Sequence, residues 1–169
     1  NVINNLQSLG AHVDILSVIG VCKVSKELTE MIKDIKVDTK YLITQDDRIT
    51  SKKTRIIAAH QQVVRYDIES NDEIDNNSQT SLLQTFNALI KSFDLVLLSD
   101  YGKGVLTFDL TQSIIKSAKQ NQKKVLVDPK GKNYSKYKGA YLLTPNKKEA
   151  SEATNIPITD HKALSSALL

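Results

Sequence analysis

Two short apolar runs, residues 125–127 and 140–143, each lead straight into a proline turn: Asp128-Pro129 after the first and Thr144-Pro145 after the second. Proline has no amide hydrogen, and its ring restricts the residue before it, so a run of this kind ends at the proline. Runs this short, bounded by turn residues, read as buried strands. Residues 95–98 form a third such run and end in Ser99-Asp100-Tyr101-Gly102-Lys103-Gly104. Between residues 107 and 122 the period becomes helical, with Leu110, Ile114, Ile115 and Ala118 on one face. Strand, helix, strand, short connection, strand predicts an α/β fold with a parallel sheet. Ligands of such sheets bind beyond the carboxyl ends of the strands, which puts Asp100, Asp128 and Asn146 on one rim.

The remainder of the chain supplies further elements. Residues 1–9 read as a helix stopped by Gly10, and residues 12–19 as a strand ending at Gly20. Ser25 is the expected cap of a helix to residue 35, with Leu28, Met31, Ile32 and Ile35 as its buried face. Residues 37–68 differ in kind. Three β-branched stretches, 41–44, 53–60 and 62–68, are separated by turns at Asp46-Asp47 and His60-Gln61. Consecutive hairpin-like strands predict a small antiparallel sheet laid across the α/β layer, with Ile56, Ile57 and Val63 as candidates for its apolar face. Residues 69–80 read as an acidic loop, 81–92 as a helix, and a last helical pattern starts near Asp160. Both ends fall inside such patterns, so the chain reads as part of a longer protein.

Composition excludes several function classes. The net charge is +4 and the isoelectric point about 9.0, yet the lysines are scattered and aromatics make up only 5% of residues, which argues against nucleic acid and for a solvated basic surface that suits phosphorylated small molecules. No apolar run is long enough to span a bilayer. The single cysteine, Cys22, rules out an internal disulfide and fits a reducing, cytoplasmic setting. Internal repeats, zinc spacings, a Walker loop, a dinucleotide glycine fingerprint and a Gly-x-Ser-x-Gly elbow are all missing, and His12 reads as a turn residue.

Candidate chemistry sits at the strand ends. The glycines of 100–104 let backbone approach a ligand, with Asp100 and Lys103 close together; a plain strand-to-helix connection is the alternative. Lys130, after Asp128-Pro129, can meet phosphate as a point charge, or Asp128-Pro129-Lys130-Gly131 is an ordinary turn. Asn146 with Glu149 is a capping box, a structural device, but a helix start also binds anions, and Glu149 can hold a magnesium-bound water. In residues 37–68, Lys52 reads as edge protection by charge. Lys53, Arg55 and Arg65 read equally as that or as contacts to an anion or a second subunit.

The motifs SDYGKG, VDPKG and TPNKKE, in this order and spacing, resemble the PfkB/ribokinase sugar kinases, and more closely the kinase module of the bacterial heptose 7-phosphate enzymes, often the first half of a bifunctional ADP-heptose synthase. The resemblance covers residues 1–169 and implies one partial kinase domain: a ribokinase-like α/β layer with an antiparallel β lid near residues 37–68. It implies phosphoryl transfer from ATP, with Mg²⁺, to the anomeric hydroxyl of a heptose 7-phosphate for lipopolysaccharide-core ADP-heptose. On this pattern Asn146, Lys147, Lys148 and Glu149 match the family's Asn-x-x-Glu nucleotide and magnesium motif, with Lys130 and Asp128 beside them. Asn1, Lys53, Arg55, Arg65, Asp100 and Lys103 become sugar-side contacts, and the lid becomes a homodimer contact. The family's acidic turn after the first strand is replaced here by Val21-Cys22-Lys23-Val24-Ser25. Its Gly-Ala-Gly-Asp motif, source of the anion hole and catalytic base, is absent, so the base is expected beyond Leu169 and the 169-residue chain alone is expected to be inactive. The rival reading is a non-catalytic module that binds a nucleotide or phosphosugar, or scaffolds a partner.

Overall fold

Both proline-ended runs are strands in the computed structural model, which describes residues 1–167. In chain order the elements are α1 Val2–Ser8, β1 Ser17–Gly20, α2 Lys23–Asp34, β2 Leu42–Gln45, β3 Lys52–Ala58, β4 Gln61–Ile68, α3 Asn76–Leu89, β5 Leu95–Ser99, α4 Phe108–Gln120, β6 Lys124–Asp128, β7 Leu142–Leu143, α5 Lys147–Thr154 and α6 His161–Ala167. Short 3-10 turns lie at Ile90–Ser92 and Tyr134–Tyr137. The chain divides into two compact units, one ending at Thr85 and the other starting at Phe86.

In the second unit, β5, β6 and β7 form a parallel sheet in that order, Leu95 facing Lys124 and Val127 facing Leu143. Parallel strands need crossovers, and α4 supplies the one between β5 and β6. Its apolar stripe is the expected one: Leu110, Ile114, Ile115 and Ala118 are all buried, as are Leu98, Val125 and Val127 of the sheet. Each large side chain so buried contributes about 1.5–3 kcal/mol. Thr107 caps α4 by accepting the Leu110 amide at 3.3 Å.

The first unit corrects several expectations. The predicted strand over residues 12–19 pairs only from Ser17 to Gly20, because its partner β2 is four residues long. That partner is the stretch expected to open the antiparallel lid. It runs parallel to β1 instead, since α2 intervenes and a helical crossover delivers the chain back in the same direction. Ser25 is not a cap. Cys22 takes the cap position, and the Ser25 hydroxyl, buried inside α2, donates to the Gly20 carbonyl and pairs with the Thr50 hydroxyl at 2.7 Å. Of the expected apolar face of α2, Ile32 is buried but Met31 stands 66% exposed. Helix α3 starts at Asn76, five residues before the predicted Ser81, because the Asp75 carboxylate accepts the Ser78 amide at 2.6 Å. The Asp/Asn/Ser content that reads as loop is here a helix cap.

The lid is therefore one hairpin, β3 with β4, turned at Ala59 and His60, both with positive φ as a tight hairpin requires. Residues paired across an antiparallel ladder share a face. Lys53 with Asp67 and Arg55 with Arg65 line one face; Thr54 with Tyr66, Ile56 with Val64 and Lys52 with Ile68 line the other. A register shift falls between Ile56 and Ile57. So the apolar stripe is Ile56, Val64, Tyr66 and Ile68, each 45–50% exposed, rather than the Ile56, Ile57 and Val63 expected from alternation. The last helical pattern is α6 as far as Ala167; Leu168 and Leu169 lie outside the described residues.

Gly20, at the end of β1, shows how tightly the first unit is drawn together. Its amide donates to the Thr50 hydroxyl at 2.8 Å, and a Cβ placed on it would overlap the Arg48 carbonyl. Backbone cannot yield as a side-chain tip does, so Gly20→Ala is expected to destabilise by about 2 kcal/mol or more, the upper range for overpacking. Urea denaturation followed by circular dichroism measures this; an unchanged midpoint would show that the β1 end has room to spare.

Candidate active site

Backbone register sets the rim of the second unit. Ser99 faces Asp128 in the ladder, the Asp100 amide donates to the Asp128 carbonyl at 2.9 Å, and the Thr144 amide donates to the Val127 carbonyl at 2.9 Å. The turns after β5, β6 and β7 therefore emerge side by side, as the strand-end rule requires.

At the third turn α5 begins with a complete capping box. The Asn146 side chain accepts the Glu149 amide and the Glu149 carboxylate accepts the Asn146 amide, each at 3.0 Å. The other Glu149 oxygen takes the Lys130 ammonium at 2.9 Å. The Asn146 amide first, and Lys130 second, hold the Glu149 carboxyl below the usual range, and Glu149 in turn raises Lys130. The amides of Lys147 and Lys148 occupy the first turn, where a helix has no acceptor of its own to offer. Both lysine side chains are exposed, Lys148 within 3.8 Å of Glu152, and Asp128 is exposed at the end of β6.

The turn after β5 behaves differently from expectation. Asp100, read from the sequence as a ligand contact, directs its carboxylate inward, with the side chain only 4% exposed. One oxygen accepts the Gly102 amide at 2.7 Å; the other accepts the Tyr137 hydroxyl at 2.7 Å and pairs with the Lys136 ammonium. Lys136 also donates to the Leu106 carbonyl at 3.2 Å. Tyr137 is 1% exposed, and its hydroxyl accepts the Lys130 amide at 3.1 Å. Burial, reinforced by Asp100, keeps that hydroxyl protonated far above its ordinary pKa. Lys103 is half-buried in the same turn. Sequence reading passed over Lys136 and Tyr137. Two tyrosines, Tyr134 and Tyr137, in a short polar connection between buried strands were the available signal, since a ring there has the sheet edge to bury against.

The remaining candidates lie in the first unit. Lys53, Arg55 and Arg65 share the charged face of the hairpin. Lys53 meets Asp67 at 2.9 Å and Glu69 at 3.3 Å, and Arg65 meets Asp67 at 3.3 Å. Lys53 is the main reason the Asp67 carboxyl is held low. Arg55 and Arg65 stand directly opposite each other, a like-charge pairing offset by the neighbouring Asp67 carboxylate, which Arg65 meets and which both arginines help to hold low. Asn1 is exposed at the start of α1, and its side chain makes no capping bond. No set of three or more metal-ligating side chains gathers among the described residues, and no helix among them is long and apolar enough to cross a membrane.

Residues 1–169 match the pfkB family carbohydrate kinases from end to end. The chain belongs to that family. Bifunctional protein HldE of Aliarcobacter butzleri is 56% identical over 168 residues, which are 99% of this chain and 35% of the relative. The chain thus spans about a third of the length of that curated relative. Among solved structures, Sa239 aligns with a TM-score of 0.75 at 18% identity, over 95% of this chain and 52% of that one. Ribokinase of Arabidopsis thaliana, complexed with ribose and ATP, aligns at 0.65 and 15%, over 92% and 50%. These likenesses fix the fold as ribokinase-like α/β, with a parallel sheet and an antiparallel hairpin.

Proposed function

We propose that this chain is the substrate-positioning part of an ATP-dependent sugar kinase that phosphorylates the anomeric hydroxyl of a heptose 7-phosphate, on the route to ADP-heptose for lipopolysaccharide core. The observation that carries the reading is the Lys130 ammonium held against Glu149 at the first turn of α5, on the rim of a parallel sheet. Membership of the pfkB carbohydrate kinases, the resemblance of SDYGKG, VDPKG and TPNKKE to heptose-phosphate kinases, and high identity to a bifunctional protein HldE support the kinase and sugar class.

The donor set fits a nucleotide polyphosphate. Lys130, the Lys147 and Lys148 ammoniums and first-turn amides all favour an anion, and the positive end of the α5 dipole adds to them. Glu149 and Asp128 fit magnesium held through water, since that ion takes one or two carboxylates and completes its shell with water and phosphate. Bound there, Mg-ATP supplies the phosphoryl group and much of the charge neutralisation that transfer requires. Lys130 has to leave Glu149 to meet phosphate. Its present pairing is solvent-exposed and therefore weak, and a phosphate carries more negative charge than one carboxylate, so the exchange favours phosphate. The same exchange frees one Glu149 oxygen for a metal-bound water. On the sugar side, Arg55 and Arg65, with Lys53 on the same face of the hairpin, offer cations to a sugar phosphate, and Asn1 offers a neutral amide to sugar hydroxyls. The base that accepts the sugar proton is assigned to sequence beyond these residues, because the Asp100 carboxylate is committed inward.

The test uses the complete gene product. Phosphorus NMR with ATP and heptose 7-phosphate is expected to show a new anomeric phosphate, and the 169-residue chain alone is expected to show none. Arg55→Ala is expected to raise KM for the phosphosugar about ten- to a hundredfold, with KM for ATP unchanged, the loss of one charge-assisted contact. ATP binding without any phosphoryl transfer in the complete protein would favour a non-catalytic nucleotide-binding module.

The lid also predicts association. A two-stranded ribbon is marginal alone, and this one leaves Ile56, Val64, Tyr66 and Ile68 exposed on one face, with Lys52 at its end. A second copy, related by a two-fold axis, would cover that stripe while leaving the arginine face open to ligand. Light scattering is expected to give twice the chain mass for wild type and a monomer for Val64→Lys. A monomeric wild type at every concentration would sink this interface.

A further inference from the structure

We infer that Tyr137 is a positioning residue for nucleotide binding: through its buried hydroxyl it fixes the loop that presents Lys130 to the start of α5. The inference rests on the kinase reading above. Its basis is the hold that Asp100 exerts on Lys130. One Asp100 oxygen accepts the Gly102 amide at 2.7 Å. Gly102 has φ +64 and packs so close to the Lys130 stem that a Cβ there would lie 3.3 Å from the Lys130 Cγ. The other oxygen accepts the Tyr137 hydroxyl at 2.7 Å, and that hydroxyl accepts the Lys130 amide at 3.1 Å. The Lys130 amide is thus held by a chain of hydrogen bonds that leads back to one buried carboxylate, and the turn fixed by that carboxylate runs alongside the Lys130 stem. Lys136 balances the Asp100 charge on the same oxygen. Tyr137 itself does not reach the rim surface, being 1% exposed, so any effect it has on a ligand passes through Lys130.

A hydroxyl that donates to a carboxylate and accepts an amide cannot be replaced by an apolar atom without freeing the loop. Free, Lys130 samples many rotamers, and part of the binding energy for phosphate goes into ordering it. Tyr137→Phe keeps the ring that packs edge-on to Tyr134 at 5.8 Å and removes only the hydroxyl.

The experiment is made in the complete gene product with two readouts. Hydrogen exchange at the Lys130 amide is expected to rise about tenfold in Tyr137→Phe, while the amides within β6 keep their protection. Calorimetric titration with Mg-ATP is expected to show about tenfold weaker binding, with KM for the phosphosugar unchanged. In a Lys130→Met background the same substitution is expected to change Mg-ATP affinity by less than about twofold, because the two residues act as a unit. Asp100→Asn is expected to weaken Mg-ATP in the same direction. Unchanged Mg-ATP affinity in Tyr137→Phe, with the wild type binding, overturns the inference. So does an equal loss in the wild-type and Lys130→Met backgrounds, which would make Tyr137 a general support of the fold. A wild type that binds no Mg-ATP is a separate result: it contradicts the kinase reading itself, and this inference falls with it.

Discussion

Asp100 is the charge on which the rim of the second unit depends. A carboxylate this deep is costly unless every lone pair is met, and here an amide, a phenol and an ammonium meet it. Removing Lys136 leaves an uncompensated charge at the end of the sheet, and removing either neutral donor leaves a carboxylate oxygen short of a hydrogen bond. Because the partners come from two separate places in the chain, Gly102 and the adjacent pair Lys136-Tyr137, that charge ties the turn after β5 to the connection between β6 and β7. The same network reaches the Lys130 amide, and Lys130 reaches Glu149 at the start of α5. Buried electrostatics thus reach an exposed cation, Lys130, at the rim.

The division of labour follows from burial. Asp100 and Tyr137 are inside and contact no solvent-side ligand. Lys130, Lys147 and Lys148 are outside and half or fully solvated, so their mutual arrangement is cheap to change. A site of this kind is held in register by strong interior contacts and opened by weak exterior ones. In the first unit the lid separates its work by face, since ladder pairing puts the arginines on one side and the apolar stripe on the other.

Much of this was legible in the residues. The proline-ended runs, the apolar stripe of α4 and the Asn146–Glu149 box are local signals, and each appears where the sequence puts it. What misled were residues with two roles. Ser25 looks like a cap but is drawn inward by Gly20 and Thr50, which lie far apart in sequence. The Asp75-to-Ser78 stretch has loop composition because caps and loops prefer the same side chains. Tyr41 to Thr44 has strand character, but nothing local tells a parallel partner from an antiparallel one. Likewise Asp100 was found as a polar strand end, while its direction depends on Tyr137, thirty-seven residues on. A bulge at Ile56 and Ile57 is also invisible to alternation, and it moved the apolar face of the hairpin.

The central claim is that Lys130, held by this network, is a phosphate-binding cation rather than a decorative partner of Glu149. Titration of the complete gene product with Mg-ATP, wild type against Lys130→Met, tests it most directly. The account predicts affinity about ten- to a hundredfold weaker in the variant, with an unaltered melting temperature, because the exposed ion pair it removes contributes little to stability. Equal affinity in the two proteins would contradict it.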